Sequence, residues 1–304
     1  MYNHSHRYRV VDVFTETPMQ GNPLAVFPDA RGIGEGEMQR IARELNLSET
    51  AFVLPPARLN CTARVRIFTP ARELPFAGHP TIGTAYVLLQ EGLIPAGTRN
   101  FRLELTVGPV PIRVESGPAE RPLIWLRTPI ITEGPSYDRK TAAEALGLDI
   151  RDLLEFAPQW MSAGTPVIFV AVKDAAAVDR AWIELAGMKL LAGAVHEPAC
   201  VFVFAPTPRG AYSRMFAPEF GIAEDPATGG ATGPLAAYMM RFGLVSSAPG
   251  VRFISEQGAK MGRRSILHVR IEGVRGAHGI DVGGYVTPVI EAALTLPRAA
   301  AHHP

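Results

Sequence analysis

The sequence predicts an α/β chain built as two similar lobes with a cleft between them. Three observations carry that prediction: an internal repeat, strand-like apolar segments in both halves, and one strong helix after a glycine-rich turn in each half. In the repeat, Arg66-Ile67-Phe68-Thr69-Pro70 recurs 148 residues later as Arg214-Met215-Phe216-Ala217-Pro218. Residues 73–94 then align with 224–245 at an offset of 151, matching Glu73 with Glu224, Pro75 with Pro226, Gly78 with Gly229, Thr81 with Thr232, Ala85 with Ala236, Gly92 with Gly243 and Leu93 with Leu244. The change of offset is a three-residue insertion before the second glycine motif. A fainter echo joins Gly21-Asn22-Pro23 to Gly164-Thr165-Pro166. Three echoes in the same order point to a duplicated ancestor.

The elements follow in order. Residues 8–14 and 65–68 run apolar or alternate, with β-branched side chains, as strands do. Residues 37–46 set Met38, Ile41 and Leu45 at helical spacing and stop at Asn46, a suitable C-terminal residue. Residues 80–92 form the helix after the first glycine motif, with Pro80 suited to the first turn and Gly92 to the end; residues 228–242, followed by Gly243, are its counterpart. Strands are expected at 101–107, 112–114, 167–172, 201–204, 266–271 and 286–290, and peripheral helices at 138–146 and 179–191. The Gly- and Pro-rich stretch 115–135 reads as turns and a crossover. The lobes therefore divide as residues 1–127, with Glu49 and His79, and residues 128–304, with Asp225, the final strand being a candidate to cross back to the first lobe.

Composition narrows the function. With 47% hydrophobic and 19% charged residues over 304 positions, the chain has the material for a full core, which excludes a disordered, coiled-coil or collagenous protein. Its longest apolar runs, 166–172 and 199–206, are strand-sized and far short of the roughly 18 residues of a membrane span. Thirty basic residues face 29 acidic ones, and the first 150 positions hold 16 of each, so no basic stripe for nucleic acid is present. Cys61 and Cys200 are too few for a disulfide framework and lack the spacing of a zinc site. The eight histidines are scattered, His4, His6, His302 and His303 falling in ends expected to fray. No GxGxxG follows a strand, no GxxxxGK[ST] or GxSxG occurs, and none of the four lysines stands in a Schiff-base context. The expectation is an enzyme without metal or organic cofactor, acting on a small molecule by proton transfer. Without an apolar signal segment behind Met1, the expected compartment is the cytoplasm.

Three segments join tight-turn residues to a titratable group. Glu49, in Asn46-Leu47-Ser48-Glu49-Thr50, sits between a helix and the apolar run 51–54; that spacing alone suits either a solvated turn residue or a partly buried acid/base. His79, in Pro75-Phe76-Ala77-Gly78-His79-Pro80, is either a simple cap or a proton carrier at a helix entrance. Asp225, in Glu224-Asp225-Pro226-Ala227-Thr228-Gly229-Gly230, stands at the matching entrance of the second half. Two such entrances face to face would build one anion pocket, in which backbone N–H groups at Gly78, Gly229 and Gly230 hold a carboxylate or a developing oxyanion.

These motifs, with Val11-Asp12-Val13-Phe14 and Gly21-Asn22-Pro23-Leu24-Ala25-Val26-Phe27 ahead of them, resemble the PhzF-like family of phenazine-biosynthesis isomerases over about residues 8–290. The resemblance implies a diaminopimelate-epimerase-like fold of two pseudo-symmetric lobes, each a sheet wrapped around a central helix. It also implies a homodimer and no cofactor. It assigns Glu49 as the catalytic acid/base, with His79 and Asp225 beside it. The family's glutamate moves a proton between ring carbons of trans-2,3-dihydro-3-hydroxyanthranilate. One departure touches the substrate: Gly230 stands where the phenazine enzyme has a serine. The epimerase branch of the fold places one cysteine in each glycine motif, and neither Cys61 nor Cys200 lies there. Two alternatives stand beside the isomerase: an epimerase using Glu49 and Asp225 from opposite faces, and a small-acid binding protein without turnover.

Overall fold

A computed structural model describes residues 4–117, 121–192, 199–274 and 277–296. The first half runs β1 (His4–Val13), β2 (Asn22–Phe27), α1 (Glu35–Leu45), β3 (Glu49–Leu54), β4 (Ala63–Phe68), β5 (Glu73–Leu74), α2 (Gly78–Gln90), β6 (Asn100–Leu105), β7 (Gly108–Ser116), β8 (Pro122–Arg127) and β9 (Thr132–Ser136). The second runs α3 (Arg139–Ala145), β10 (Gln159–Ser162), β11 (Pro166–Ala171), α4 (Ala175–Arg180), α5 (Leu185–Ala192), β12 (Cys200–Thr207), β13 (Gly210–Ala217), β14 (Ile222–Asp225), α6 (Gly229–Arg241), β15 (Arg252–Gln257), β16 (Ser265–Val274), β17 (Ala277–Gly284) and β18 (Val286–Leu296).

Strand pairing repeats almost element for element. One ladder has the order β18-β1-β2-β3-β4-β6-β7-β8, in which β2–β3 and β4–β6 are parallel and the other pairs antiparallel. The other has the order β9-β10-β11-β12-β13-β15-β16-β17, with β11–β12 and β13–β15 parallel. β8 pairs with β17 and joins the two ladders, while β18 runs antiparallel to β1 from His4 opposite Leu296 to Val13 opposite Val286.

Each ladder wraps a helix that is apolar on almost every side, so the helix has no face to offer water. In α2, Ile82, Ala85, Val87 and Leu88 lie in one core cluster with Val11, Val13, Leu24 and Val65. In α6, Leu235, Tyr238 and Met239 pack with Phe169, Phe202 and Phe204. The duplication extends to single contacts. The Arg66 guanidinium pairs with Glu73 and lies 5.1 Å from the Phe68 ring centroid; Arg214 pairs with Glu224 and lies 4.7 Å from that of Phe216. The Thr81 hydroxyl donates to the Ala77 carbonyl, as the Thr232 hydroxyl does to Thr228.

Several local expectations are corrected. The 115–135 stretch holds β8 and β9 as well as turns, because Leu123, Ile124, Trp125 and Leu126 are all buried and the last three pair on both edges. The single helix expected at 179–191 is two helices, α4 starting earlier at Ala175. Ala181 is extended, the Trp182 N–H donates to the Leu146 carbonyl and Ile183 enters the core there. His4 and His6 are in β1, with β18 as partner strand, and are not at a frayed end; His302 and His303 lie outside the described residues. α1 ends as expected, Asn46 adopting the left-handed conformation after Leu45.

Candidate active site

The glycine motifs meet at the centre of the molecule. α2 starts at Gly78, two residues before the expected 80, which places His79 inside the first turn. A Cβ at Gly78 would lie 2.7 Å from the Gly229 carbonyl carbon and from the Gly230 nitrogen, and one at Gly229 would lie 3.0 Å from the Phe14 ring. Backbone approaches backbone here, and only glycine fits. First-turn N–H groups of Gly78, His79, Gly229 and Gly230 therefore gather at one place, without intrahelical acceptors and at the positive ends of two helices.

Beside these helix starts is a cavity of about 680 Å³ whose walls include Glu49, Gly78, His79, Asp225, Gly229 and Gly230, so the structure brings all six sequence-selected residues to one cleft. Glu49 opens β3, directly after the turn that closes α1. Its Oε2 lies 3.3 Å from His79 Nε2, and both atoms are buried without a hydrogen-bond partner. Burial and the nearby Asp225 charge hold the Glu49 carboxyl well above the usual carboxylate range. Burial lowers the His79 pKa to about 3, so its imidazole is neutral at physiological pH.

Asp225 closes β14 and is held fast. Its Oδ1 accepts the Asn22 side-chain N–H at 2.9 Å and its Oδ2 the Thr228 hydroxyl at 2.5 Å. Burial raises its pKa to about 6, with the two hydrogen bonds opposing that rise. The Gln257 amide completes the frame, donating to the Asp225 carbonyl and to the Thr228 hydroxyl while accepting the Thr228 N–H. Asn22 and Gln257 are supports that sequence reasoning passed over. Asn22 had a signal, the repeated glycine turn; Gln257 had none, because its strand was not recognised.

Cys200 was also missed. β2 runs parallel to β3 with Leu24 opposite Glu49, and β11 runs parallel to β12 with Val167 opposite Cys200. Given the match of Gly21-Asn22-Pro23 to Gly164-Thr165-Pro166, Cys200 is the second lobe's counterpart of Glu49, and it lines the same cavity. Burial and the charges of Asp225 and Glu219 push its thiol far up, so it stays protonated. The site thus has a carboxyl at Glu49 whose buried oxygen has no hydrogen-bond partner, a tethered carboxylate at Asp225, a neutral imidazole and a cluster of N–H donors. Among the described residues, no three His, Cys, Asp or Glu side chains converge as metal ligands.

Comparison with known proteins gives the family. A family profile described as "Phenazine biosynthesis-like protein" matches residues 11–292. The chain is 37% identical to the trans-2,3-dihydro-3-hydroxyanthranilate isomerase of Pseudomonas aeruginosa over 286 residues, covering 92% of this chain and 95% of that one. Among solved structures it resembles a phenazine biosynthesis protein of the PhzF family from Bacillus anthracis, with a TM-score of 0.86 and 26% identity over 96% of this chain and 99% of the other. A hydroxyproline epimerase from Agrobacterium vitis shares the fold at a TM-score of 0.67 and 14% identity, covering 99% of this chain and 94% of that one. The duplicated lobes, the paired glycine motifs and these likenesses together make this chain a member of the PhzF-like, phenazine-biosynthesis-like family and an enzyme of the isomerase class.

Proposed function

We propose that this protein is a cofactor-independent isomerase that moves a proton within a small carboxylate-bearing metabolite of the trans-2,3-dihydro-3-hydroxyanthranilate type. Ionised Glu49 takes a proton from a carbon next to a double bond or carbonyl. The C–H electron pair moves into the adjoining π system, the double bond shifts, and the Glu49 carboxylic acid returns the proton to a distant carbon, so atoms and charge balance. His79, neutral and 3.3 Å from Glu49 Oε2, adds no positive charge that would lower the proton affinity of the Glu49 carboxyl. Asp225 receives an N–H or O–H of the substrate and fixes its orientation. N–H groups at Gly78, Gly229 and Gly230 hold the substrate carboxylate or the oxyanion, each such donor contributing about 3 kcal/mol to the transition state.

The observation that carries this reading is the contrast between the two carboxylates. Glu49 Oε2 is buried with no partner, whereas both oxygens of Asp225 already accept hydrogen bonds. A two-base epimerase would need Asp225 to take a carbon-bound proton from the opposite face while so engaged, and the tether favours an orienting role. A binding protein would have no use for an unpartnered buried carboxylate whose affinity for protons is raised toward the working range.

Glu49→Gln keeps shape and removes the base. Turnover of trans-2,3-dihydro-3-hydroxyanthranilate should drop about 100- to 10,000-fold with the fold intact, the product of the parent being a double-bond isomer and not an epimer. Turnover within threefold of the parent would remove Glu49 from the mechanism. The same reading includes a homodimer, on the strength of the family resemblance. Light scattering at micromolar concentration should return twice the 32.8 kDa chain mass, and the monomer mass would count against the dimer.

A further inference from the structure

The cleft described above is rich in acids, although its proposed substrate is an acid. Glu49, Glu73, Glu219 and Asp225 all line it. His79 is neutral, so it supplies no compensating charge. Arg72 is the one lysine or arginine among the described lining residues. No carboxylate among the described residues lies within 4.0 Å of its guanidinium, whereas Glu73 beside it is taken by Arg66. In a cleft of this composition a cation would favour a carboxylate substrate over a neutral one, and Arg72 is the group placed to provide it.

Local structure holds Arg72 ready. The turn joining β4 to β5 is closed by the Thr69 N–H donating to the Arg72 carbonyl at 2.8 Å, and the Thr69 hydroxyl oxygen accepts the N–H groups of Ala71 and Arg72. From α1, the Gln39 amide donates to the carbonyls of Thr69 and Pro70. The backbone is pinned and only the side chain is free. Its guanidinium carbon lies 5.5 Å from the ring centroid of Phe220, on the opposite lobe. Phe220 ends the one-turn helix Pro218–Phe220, which falls where the second half carries its three extra residues. The insertion therefore supplies an aromatic seat across the cleft from the arginine. An exposed cation resting on a phenyl ring is held weakly, and a carboxylate offering two oxygens competes well for it.

We propose that Arg72 is the residue that selects for charge in this cleft: its guanidinium leaves Phe220 to pair with the carboxylate of the incoming substrate, while the diene edge of the substrate ring packs on the vacated ring face. This rests on the reading of the cleft as the substrate site. It adds a specific anion receptor to the helix-start N–H groups, which bind any polar oxygen.

The test separates the two. Anthranilate and its neutral carboxamide serve as unreactive probes, their binding measured by calorimetry on the parent, Arg72→Gln and Arg72→Lys, alongside turnover of trans-2,3-dihydro-3-hydroxyanthranilate. The parent should prefer the acid by about tenfold or more, Arg72→Gln should reduce that preference to within about threefold without weakening the carboxamide, and Arg72→Lys should fall between. In turnover, Arg72→Gln should raise KM about tenfold while kcat changes by less than about threefold. All three proteins should melt alike, because Arg72 is exposed and has no ion-pair partner among the described residues. An Arg72→Gln protein that keeps the full preference for the acid overturns the proposal and leaves the isomerase reading intact, as does a parent that turns over substrate without preferring the acid probe. A parent whose acid preference depends on Arg72 but which does not turn over the dihydro acid supports the selector and overturns the assigned reaction. A parent that binds neither probe overturns the selector.

Discussion

Glu49 and Asp225 illustrate how environment separates two carboxyl groups of similar chemistry. Each is buried and each is pushed upward, yet only Asp225 has its oxygens tied by neighbours. Since the charge of Asp225 is one cause of the raised Glu49 pKa, Asp225→Asn should let Glu49 ionise at lower pH. With Glu49 as the proposed base, the acid limb of the kcat/KM profile follows formation of its carboxylate and should then shift to lower pH on whatever activity remains; a limb that stays in place would mean that another group sets it. Stability should respond as well. With a folded pKa of about 6 against an unfolded value near 3.8, Asp225 binds its proton more tightly in the fold, so its contribution is complete below about pH 4 and is lost as pH rises through 6. Melting curves at pH 5 and 7.5 should therefore diverge less in the asparagine variant, by about 1 kcal/mol, because pH 5 lies only about one unit below the folded pKa and captures about half of the difference between the two proton affinities.

At the level of elements, the site depends on two helices starting against each other. A methyl group at Gly78 would press into the backbone at Gly229 and Gly230, where no side chain can move aside. Gly78→Ala should thus cost about 1–3 kcal/mol in a denaturant titration and lower turnover at the same time, by forcing the two N–H clusters apart. A Cβ at Gly230 meets nothing within 4 Å, so an alanine there should not carry the same penalty and serves as the control. The arginine–glutamate pairs on β4 and β13 fix the strands leading into each glycine motif, which explains why the repeat is clearest at these positions.

The whole molecule is held together by strands that connect parts distant in sequence. β18 pairs with β1 along the length of that strand, and the Thr287 hydroxyl donates to the Thr15 carbonyl at 2.9 Å. β1 also carries Asp12, which accepts from Arg263 in the second half, so the edge of the first lobe is assembled from both ends of the chain. Removing residues 286–304 would leave β1 as an unpaired edge. Such a truncation should lose the single cooperative melting transition followed by circular dichroism, and a truncated chain that melts like the parent would show that β18 is dispensable.

The sequence by itself determined the two-lobed α/β plan, both central helices and the six residues at the cleft, because each leaves a local mark: a repeat, a glycine turn, a helix-length apolar segment. The α1 stop at Asn46 and the apolar run 51–54 were legible for the same reason, although the strand itself starts two residues earlier, at Glu49. Strand β15 was not, since its inward positions hold Ser255 and Gln257, buried polar residues that break the usual alternation, Gln257 framing Thr228 and Asp225 and Ser255 facing the Ser213 hydroxyl. β8 was hidden by flanking prolines and by burial on both faces, which erases periodicity. Only the tertiary structure decided that Cys200 is the counterpart of Glu49, that Asn22 tethers Asp225 from 203 residues away, and that Arg72 faces Phe220 across the cleft. The physical reason is common to all three: hydrogen bonds, burial and charge act through space, and the spacing of residues along a chain records such contacts only when they fall within one element.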